Sequence, residues 1–362
     1  MLITYHPNHR THLYDALYAT SLVPVESDTT TRTINVPDRS IRYNEENYNR
    51  YINKLDTLLN IPVSERIEDT YDTFYIPKRS GNGLRRIDAP QETTKTVQRA
   101  IVAALYDDAK VLLHNNAYAY IKGRCTKDML IAHQKNESKW FLKIDLKDFF
   151  PSCTLNVIRD SLKHIFPIGL ADFEKLMELI ERWCLYEGSL PQGAVTSPLL
   201  SNLVMLPYDH VINHTLKDFD GHNFVYTRYA DDIIISCKYH FNKDAVINML
   251  TNLLQPFIIK TEKTRYGSSA GRNWNLGLML NKDNNITVGH KQKQNFKAML
   301  FNLFKNFTDP NAELWDTHDV AVIAGLYSYY NNIEHEYITF VVHRLEEKFN
   351  VTLKEIFKEY MA

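Results

Sequence analysis

The sequence predicts an α+β fold, in which short strands and helices follow one another along the chain. Aromatic and β-branched residues dominate two short segments, Trp140–Asp145 and Phe224–Ser236, and such enrichment is typical of strands. The second segment is long enough for a hairpin, with Asp231 and Asp232 near its tip. From about residue 290 onward apolar residues recur at helical spacing, so we expect the chain to end in helices.

The pattern before residue 140 predicts an N-terminal extension and then a hairpin. Residues 1 to 70 are polar and rich in tyrosine, and apolar spacing between residues 44 and 59 predicts one helix there. Residues 73–77 and 85–90 flank a Gly-Asn-Gly turn, which predicts a β-hairpin that carries basic residues. The remaining predicted elements are helices over residues 92–113, from Asp145 to about 186 and over 244–254, and a strand over 276–280.

Composition and charge limit the classes of protein that fit. Of the 362 residues, 44% are hydrophobic, which is enough to bury one large core or two modest ones. The formal net charge is -1, so the chain as a whole is not a strongly basic nucleic-acid binder. The segment from Lys260 to Lys305 differs, because nine basic residues stand there against two acidic ones. This local excess suits either a phosphate-binding face or an ordinary solvated surface.

The cysteines and the apolar stretches favour a cytoplasmic protein. The four cysteines include no Cys-x-x-Cys pair and suggest no disulfide framework, so we expect reduced thiols. No apolar stretch approaches the ~20 residues of a membrane span. The N-terminus lacks the basic and then apolar pattern of a signal peptide, and we expect no membrane contact.

Three carboxylates, those of Asp145, Asp231 and Asp232, are the clearest chemical signal. Asp145 ends a predicted strand and lies 86 residues before Asp231, so neighbouring strands in one sheet would bring the carboxylates together. Such groups repel one another unless cations neutralise them, and hard oxygen ligands of this kind suit Mg²⁺. An Asp-Asp pair alone is usually a solvated turn. Here apolar strand segments flank the pair on both sides, which predicts a buried hairpin tip. Burying two carboxylates there costs stability, so their presence indicates a function. The sequence predicts two Mg²⁺ ions, with Mn²⁺ as an alternative.

Five short motifs lie in order over roughly residues 75 to 285. They are Arg85-x-Ile87-x-x-Pro90, the segment Asp145 to Phe150, the segment Leu190 to Pro198, the run Tyr229-Ala230-Asp231-Asp232, and the turn Leu276-Gly277. In this order they resemble the fingers motif, first aspartate motif, nucleotide motif, Tyr-x-Asp-Asp signature and primer grip of reverse transcriptases. The resemblance implies a right-hand polymerase fold with fingers, a palm that bears the aspartates on an antiparallel sheet, and a helical thumb.

The resemblance also assigns roles at the metal and phosphate sites. Asp145 and Asp231 would bind both metal ions, with Asp232 assisting. Lys78 and Arg85 would bind the triphosphate of the incoming nucleotide as cationic partners on a mobile fingers hairpin.

Further roles concern the nucleotide and the primer. Gln192 would contact the nucleotide sugar, and Gly193 would let the backbone approach the primer terminus. Phe150 would exclude a 2′-hydroxyl and so favour deoxynucleotides; the alternative is a core phenylalanine beside Phe149. Lys263 resembles the family's lysine that protonates pyrophosphate, and the alternative is a plain surface lysine. Three lysines at the start of a C-terminal helix are predicted to contact nucleic-acid phosphates: Lys291, Lys293 and Lys297.

We therefore predict an N-terminal extension (1–70), a fingers and palm domain (71–285) and a thumb (286–362). The expected activity is RNA-directed DNA synthesis from deoxynucleoside triphosphates, on an RNA template that is a cognate structured non-coding RNA. The sequence and its motifs resemble those of bacterial retron, group II intron and defence-associated reverse transcriptases. However, retron enzymes often carry Val-Thr-Gly where this chain has Val351-Thr352-Leu353.

Two other functions stay open on the sequence, as do a companion protein and a homo-oligomer. One is a template-independent DNA polymerase of the phage-exclusion type. The other is a non-catalytic RNA-binding scaffold, which has no need of repelling carboxylates.

Overall fold

The computed structural model describes residues 4–5, 32–33, 70–78, 83–163, 165, 170–269, 274, 277–313 and 315–361. The helix predicted over residues 44–59, and with it most of the N-terminal extension, lies outside the described residues. The described strands are β1 (Thr4–Tyr5), β2 (Arg32–Thr33), β3 (Tyr71–Pro77), β4 (Leu84–Pro90), β5 (Trp140–Asp145), β6 (Val225–Tyr229), β7 (Asp232–Cys237), β8 (Arg265–Ser268), β9 (Met279–Leu280) and β10 (Ile286–Thr287). The described α-helices are α1 (Glu92–Leu112), α2 (Thr126–Lys135), α3 (Phe149–Ser152), α4 (Leu155–Leu162), α5 (Leu170–Cys184), α6 (Ser197–Asp218), α7 (Lys243–Leu253), α8 (His290–Thr308), α9 (Thr317–Ile333), α10 (His335–Phe349) and α11 (Leu353–Met361).

A four-stranded antiparallel sheet organises the middle of the chain. Its strand order is β6-β7-β5-β8, so the β6–β7 hairpin lies beside β5 and β8 forms an edge. Strands β5 and β7 pair from Trp140 with Cys237 to Asp145 with Asp232. Since directly paired residues lie on one face of a sheet, this register brings the end of β5 to the tip of the hairpin.

The predicted α+β class is confirmed. Strand β5 has the predicted bounds, and β6 and β7 form the predicted hairpin around residues 230–231. The helical region predicted after Asp145 contains, among the described residues, the helices α3, α4 and α5. Of the strand predicted over residues 276–280, Met279 and Leu280 form β9, which pairs with β10, and Gly277 lies in a turn.

Helix α6, which the sequence pattern did not predict, lies at the centre of the main core. Fifteen of its 22 residues are buried, and Pro207 stands inside it. A helix that is buried on nearly all sides has no polar face, so its sequence lacks the amphipathic period by which helices are recognised. The sheet and helices α1, α4 and α5 contribute the other side chains of this core.

The four helices α8 to α11 pack around a second core, which includes Phe296, Leu300 and Ile323. Glu334, between α9 and α10, connects this bundle to the end of β10. Its carboxylate accepts hydrogen bonds from Thr287 Oγ1 at 2.9 Å and from the backbone N–H of Val288 at 3.0 Å. Among the described residues, no helix is both long enough and apolar enough to cross a bilayer.

A buried histidine links α2 to the central hairpin. His133 is completely buried, and its two ring nitrogens lie 2.6 Å from Ser236 Oγ and 2.7 Å from Thr227 Oγ1. Burial lowers the pKa of His133 from 6.5 to about 3, because the charged imidazolium would lose its hydration. The folded protein therefore holds His133 neutral, whereas the unfolded chain takes up a proton near its ordinary pKa.

Acidification is expected to destabilise the protein through His133. Because the pKa of His133 is lower in the folded state than in the unfolded state, the neutral residue contributes its full stabilisation above the unfolded-state pKa. That stabilisation is lost as the pH falls below the unfolded-state pKa. Between pH 8 and pH 5 we expect a loss of about 2 kcal/mol from this residue alone. Urea unfolding of the wild type and of His133→Gln at both pH values measures it. Equal losses in the two proteins would contradict the assignment, since Gln does not titrate.

Candidate active site

The carboxylates of Asp145 and Asp232 lie on neighbouring strands at the same end of the sheet. The register pairs these two residues directly, and Asp231 occupies the two-residue turn before β7. Ala230, the other turn residue, has φ +55°, which is uncommon for a residue other than glycine. The backbone N–H of Leu146 donates to the carbonyl of Asp231 at 3.1 Å, which ties the turn to the end of β5. The structure thus brings the three predicted aspartates together.

A fully buried ion pair supports this turn from below. The guanidinium of Arg228 is bidentate with the Asp209 carboxylate, at 2.8 and 2.7 Å, and donates to the Ala230 carbonyl at 3.2 Å. Tyr226 donates its hydroxyl to the same carboxylate, and Asn202 Oδ1 accepts from Arg228 at 3.1 Å. Burial alone would raise the pKa of Asp209, but the guanidinium holds that pKa below its ordinary value. This network fixes the carbonyl that precedes Asp231.

Lysines reach two of the three carboxylates. Lys143 Nζ lies 2.8 Å from Asp232 Oδ2. Lys260 and Lys263 both reach Asp145, at 2.7 and 3.3 Å. The sequence predicts a role at this site for Lys263, places Lys260 only in the basic segment, and indicates no role for Lys143.

Asp231 is in a different electrostatic state. Burial raises its pKa, and the neighbouring charges of Asp145 and Asp232 raise it further, against smaller opposite effects from a backbone hydrogen bond and from Lys260. A carboxylate held in this way is short of positive charge, so a cation bound beside it would stabilise the ionised form.

A cleft of about 680 Å³ opens above these carboxylates. All five residues predicted to bind the nucleotide line it, together with Asp145, Asp231, Lys260 and Lys263: they are Lys78, Arg85, Phe150, Gln192 and Gly193. Lys78 and Arg85 are exposed on the β3–β4 hairpin. Phe149 and Phe150 both line the cleft; Phe149 is buried and Phe150 is partly exposed.

Contacts with the β3–β4 hairpin give Gly193 a role that the sequence did not predict. The glycine has φ +126°, and a Cβ there would lie 2.7 Å from the backbone oxygen of Asp88. Next to it, the backbone N–H of Asp88 donates to the Gln192 carbonyl at 2.7 Å. Arg86 adds a bidentate pair with Glu187 at 2.7 and 2.9 Å. Gly193 therefore lets the nucleotide-motif loop lie directly against the hairpin, which is held by several contacts at its base.

Comparison with known proteins agrees with this geometry. Residues 76–299 match the family model described as reverse transcriptase (RNA-dependent DNA polymerase), which is more than half of the chain. The chain belongs to the reverse transcriptase family. It is an RNA-directed DNA polymerase by family, and hence a nucleotidyltransferase.

Several curated relatives of this reverse transcriptase are retron enzymes. The retron Ec73 reverse transcriptase of Escherichia coli is 28% identical over 278 residues, which cover 73% of this chain and 83% of that protein. The retron Ec83 enzyme of the same species is 28% identical, over 80% of this chain and 90% of that protein. The retron Mx65 enzyme of Myxococcus xanthus is 31% identical, over 64% of this chain and 55% of that protein. This similarity exists although the chain has Val351-Thr352-Leu353 where retron enzymes often carry Val-Thr-Gly.

The carboxylates of this reverse transcriptase fit magnesium better than a metal that needs a complete protein cage. Within the described ranges, no group of three His, Cys, Asp or Glu side chains is arranged to enclose a metal by itself. Mg²⁺ does not need such a cage, since it usually binds through one or two carboxylates together with waters and substrate phosphates. Asp145 and Asp231, which line the cleft, supply such a partial donor set.

The basic segment 260–305 is not one continuous face. Lys260 and Lys263 lie at the carboxylate of Asp145. Lys293 forms an ion pair with Glu334 and lies 4.7 Å from the Tyr337 ring centre. Lys291 and Lys297 are exposed on α8. Of the three thumb lysines named from the sequence, Lys293 thus has an internal partner. Of the predicted primer-grip turn, Leu276 lies outside the described residues and Gly277 has φ +103°.

Proposed function

We propose that this reverse transcriptase extends a primer with deoxynucleotides by metal-assisted catalysis, on a dedicated structured RNA of a retron-like or antiphage system. The observation that carries the catalytic part is the shared cleft: Asp145 and Asp231 line it together with cations and with the nucleotide motif. The similarity to retron reverse transcriptases supports the class of system.

In this proposal, different residues of the cleft have different roles in nucleotide addition. Asp145 and Asp231 hold Mg²⁺, which when bound would activate the primer hydroxyl and stabilise the leaving pyrophosphate. Lys78 and Arg85 face the cleft from the β3–β4 hairpin, so they meet the triphosphate as charge partners. Lys263 is the more exposed of the two lysines at Asp145, with 57% of its side chain accessible, and it is free to turn towards departing pyrophosphate.

Phe150→Ala is expected to admit ribonucleotides. The ring lines the cleft five positions after Asp145, and its removal opens space for a 2′-hydroxyl without touching the carboxylates. We expect the preference for deoxynucleotides over ribonucleotides, measured as a ratio of kcat/KM, to fall by roughly tenfold or more. Phe150→Tyr keeps the bulk and serves as the control. An unchanged ratio in single-turnover assays would mean that Phe150 only packs against the core.

Selectivity for RNA is proposed to come from local contacts and not from overall charge. A net charge of -1 gives little long-range attraction for arbitrary nucleic acid at physiological salt. Exposed lysines on α8 and partly exposed tyrosines such as Tyr330 offer phosphate and stacking contacts to a structured RNA.

Neutralising Lys291 and Lys297 is expected to weaken duplex binding regardless of sequence. Each lost phosphate contact should reduce the slope of log K against log salt by up to about one unit. Fluorescence anisotropy with a primer–template duplex at several salt concentrations measures the slope for the Gln variants. Lys354→Gln, an exposed lysine on α11, is the control. An unaltered slope would mean that both α8 lysines face solvent and do not contact nucleic acid. Lys293→Gln is not part of this test, because it should loosen the internal contact with Glu334.

The proposed function is tested by crosslinking the protein to RNA in its native host and sequencing what is bound. One dominant small RNA, copied into DNA from a fixed start, is the expected result. A flat distribution over abundant RNAs would indicate a general-purpose polymerase. The purified protein, supplied with deoxynucleotides and Mg²⁺ but no template, should give no product. DNA made under those conditions would indicate template-independent synthesis, and no incorporation with any template would indicate a scaffold.

A further inference from the structure

We propose that Gln98 is a positioning residue for the incoming nucleotide. It lies on α1 and is completely buried, so it acts through the groups that it holds. Its amide joins the nucleotide-motif loop, Leu190 to Pro198, to the base of the β3–β4 hairpin. The inference rests on the proposed function, because it assigns Gln98 to the nucleotide site of that reaction.

The amide of Gln98 makes hydrogen bonds to three different segments of the chain. Its Nε2 donates to the hydroxyl of Tyr71 at 2.8 Å and to the backbone carbonyl of Trp183 at 2.8 Å. Its Oε1 accepts from the backbone N–H of Val195 at 2.9 Å. Both amide hydrogens and the amide oxygen are thus engaged, at a side chain that water does not reach.

This set of partners requires an amide. Val195 presents a donor and Trp183 an acceptor, so one side chain must both accept and donate at its end. The Trp183 carbonyl lies in the last turn of α5, where carbonyls lack partners within the helix. A carboxylate would set a second acceptor against that carbonyl, and an apolar side chain would leave both backbone groups without this partner.

Gln98 holds the part of the nucleotide-motif loop that lines the cleft. Val195 lies between Gly193 and Ser197, and both of these line the cleft. The hydroxyl of Ser197 donates to the carbonyl of Pro191 at 2.8 Å, which closes the loop on itself. The bond from Val195 to Gln98 then fixes the closed loop against α1.

The same amide reaches the base of the β3–β4 hairpin. Tyr71 is the first residue of β3, and its ring stacks on that of Tyr186 with 4.6 Å between the ring centres. The hairpin that begins there brings Lys78 and Arg85 to the cleft. One amide therefore connects the hairpin cations with the loop that carries Gln192, and these are the two groups proposed to bind the nucleotide.

The carboxylates of Asp145 and Asp231 are held by other contacts. The backbone bond from Leu146 to Asp231 and the guanidinium of Arg228 support the turn between β6 and β7. Neither contact involves Gln98. Loss of its amide should therefore weaken nucleotide binding more than it slows the reaction of a bound nucleotide.

The test is single-turnover primer extension at several deoxynucleotide concentrations, with Mg²⁺ and a primer–template duplex. Gln98→Met should raise the nucleotide Kd by at least about tenfold and leave the maximum rate within about threefold of the wild type. The matched control is Ile101→Ala, which truncates a side chain of the same helix that is 1% accessible. It should lower Tm as Gln98→Met does, but leave the nucleotide Kd within about twofold.

A second variant separates positioning from a general loss of stability. Gln98→Glu presents a carboxylate at high pH, whereas the protonated carboxyl offers one acceptor and one donor again. Burial raises the pKa of such a group, so the ratio of its nucleotide Kd to that of the wild type should fall from at least about tenfold at pH 8 to about threefold at pH 6. Tyr71 stays neutral over this range, because burial raises the pKa of its hydroxyl.

The outcomes distinguish this inference from the proposed function. A nucleotide Kd in Gln98→Met within about twofold of the wild type, at a lowered Tm, would overturn the inference alone. A Kd ratio near one for Gln98→Glu at both pH values would contradict it as well. A wild-type protein that incorporates no deoxynucleotide with any template would overturn the proposed function on which the inference rests.

Discussion

Asp231→Asn is expected to abolish DNA synthesis while the protein stays folded and becomes no less stable. If Asp231 holds the metal as proposed, its loss removes several kcal/mol of transition-state stabilisation, which corresponds to a rate lower by at least about 10³-fold. Burial and the charges of Asp145 and Asp232 raise the pKa of Asp231, so the ionised group is a cost to the folded state without a cation. Removing that charge should therefore keep or raise Tm in EDTA.

Primer extension under single-turnover conditions, together with thermal unfolding, measures both effects of Asp231→Asn. Asp283→Asn, which removes an exposed carboxylate from the turn between β9 and β10, is the matched control and should change neither quantity. The variant that combines Asp231→Asn with Asp232→Asn should be equally inactive. Primer extension at the wild-type rate by the Asp231→Asn/Asp232→Asn variant would contradict the assignment of this cleft as the active site.

Asp209→Asn is expected to destabilise the protein by about 3–5 kcal/mol, because it leaves the guanidinium of Arg228 buried without its counter-charge. Arg228 is completely inaccessible and the Asp209 side chain is 1% accessible, so water cannot replace the lost partner. A loss of this size is a large part of the ~5–15 kcal/mol that stabilises a typical protein. Since Arg228 also holds the Ala230 carbonyl, activity should fall together with stability.

Guanidinium chloride unfolding measures the loss, and two further variants interpret it. Asp218→Asn changes an exposed aspartate on the same helix and should stay within about 0.5 kcal/mol of the wild type. Asp209→Leu combined with Arg228→Met removes both charges and should be less destabilising than Asp209→Asn. If Asp209→Asn unfolds within about 1 kcal/mol of the wild type, the buried pair is not a main support of the fold.

Much of the site could be predicted because its residues stand in short motifs with local structure. Asp145 ends a strand whose alternation is visible over six residues, and Asp231 stands at the tip of a hairpin. Gly193 was also predicted to permit a close approach, but its observed neighbour is the backbone of Asp88, more than a hundred residues earlier. Residue type can indicate that a position needs a glycine, but it does not identify the group that lies against it.

The sequence by itself determined the class of fold, the family and the three carboxylates, since these depend on local periodicity and on the order of motifs along the chain. Only the tertiary structure decided which cation meets which carboxylate: Lys143 with Asp232, Lys260 with Asp145 and Arg228 with Asp209. The physical reason is that an ion pair depends on distances of a few ångströms, which strand register and burial determine. Two adjacent aspartates of identical chemistry therefore acquire different electrostatic states, Asp231 short of positive charge and Asp232 held by a lysine of the next strand.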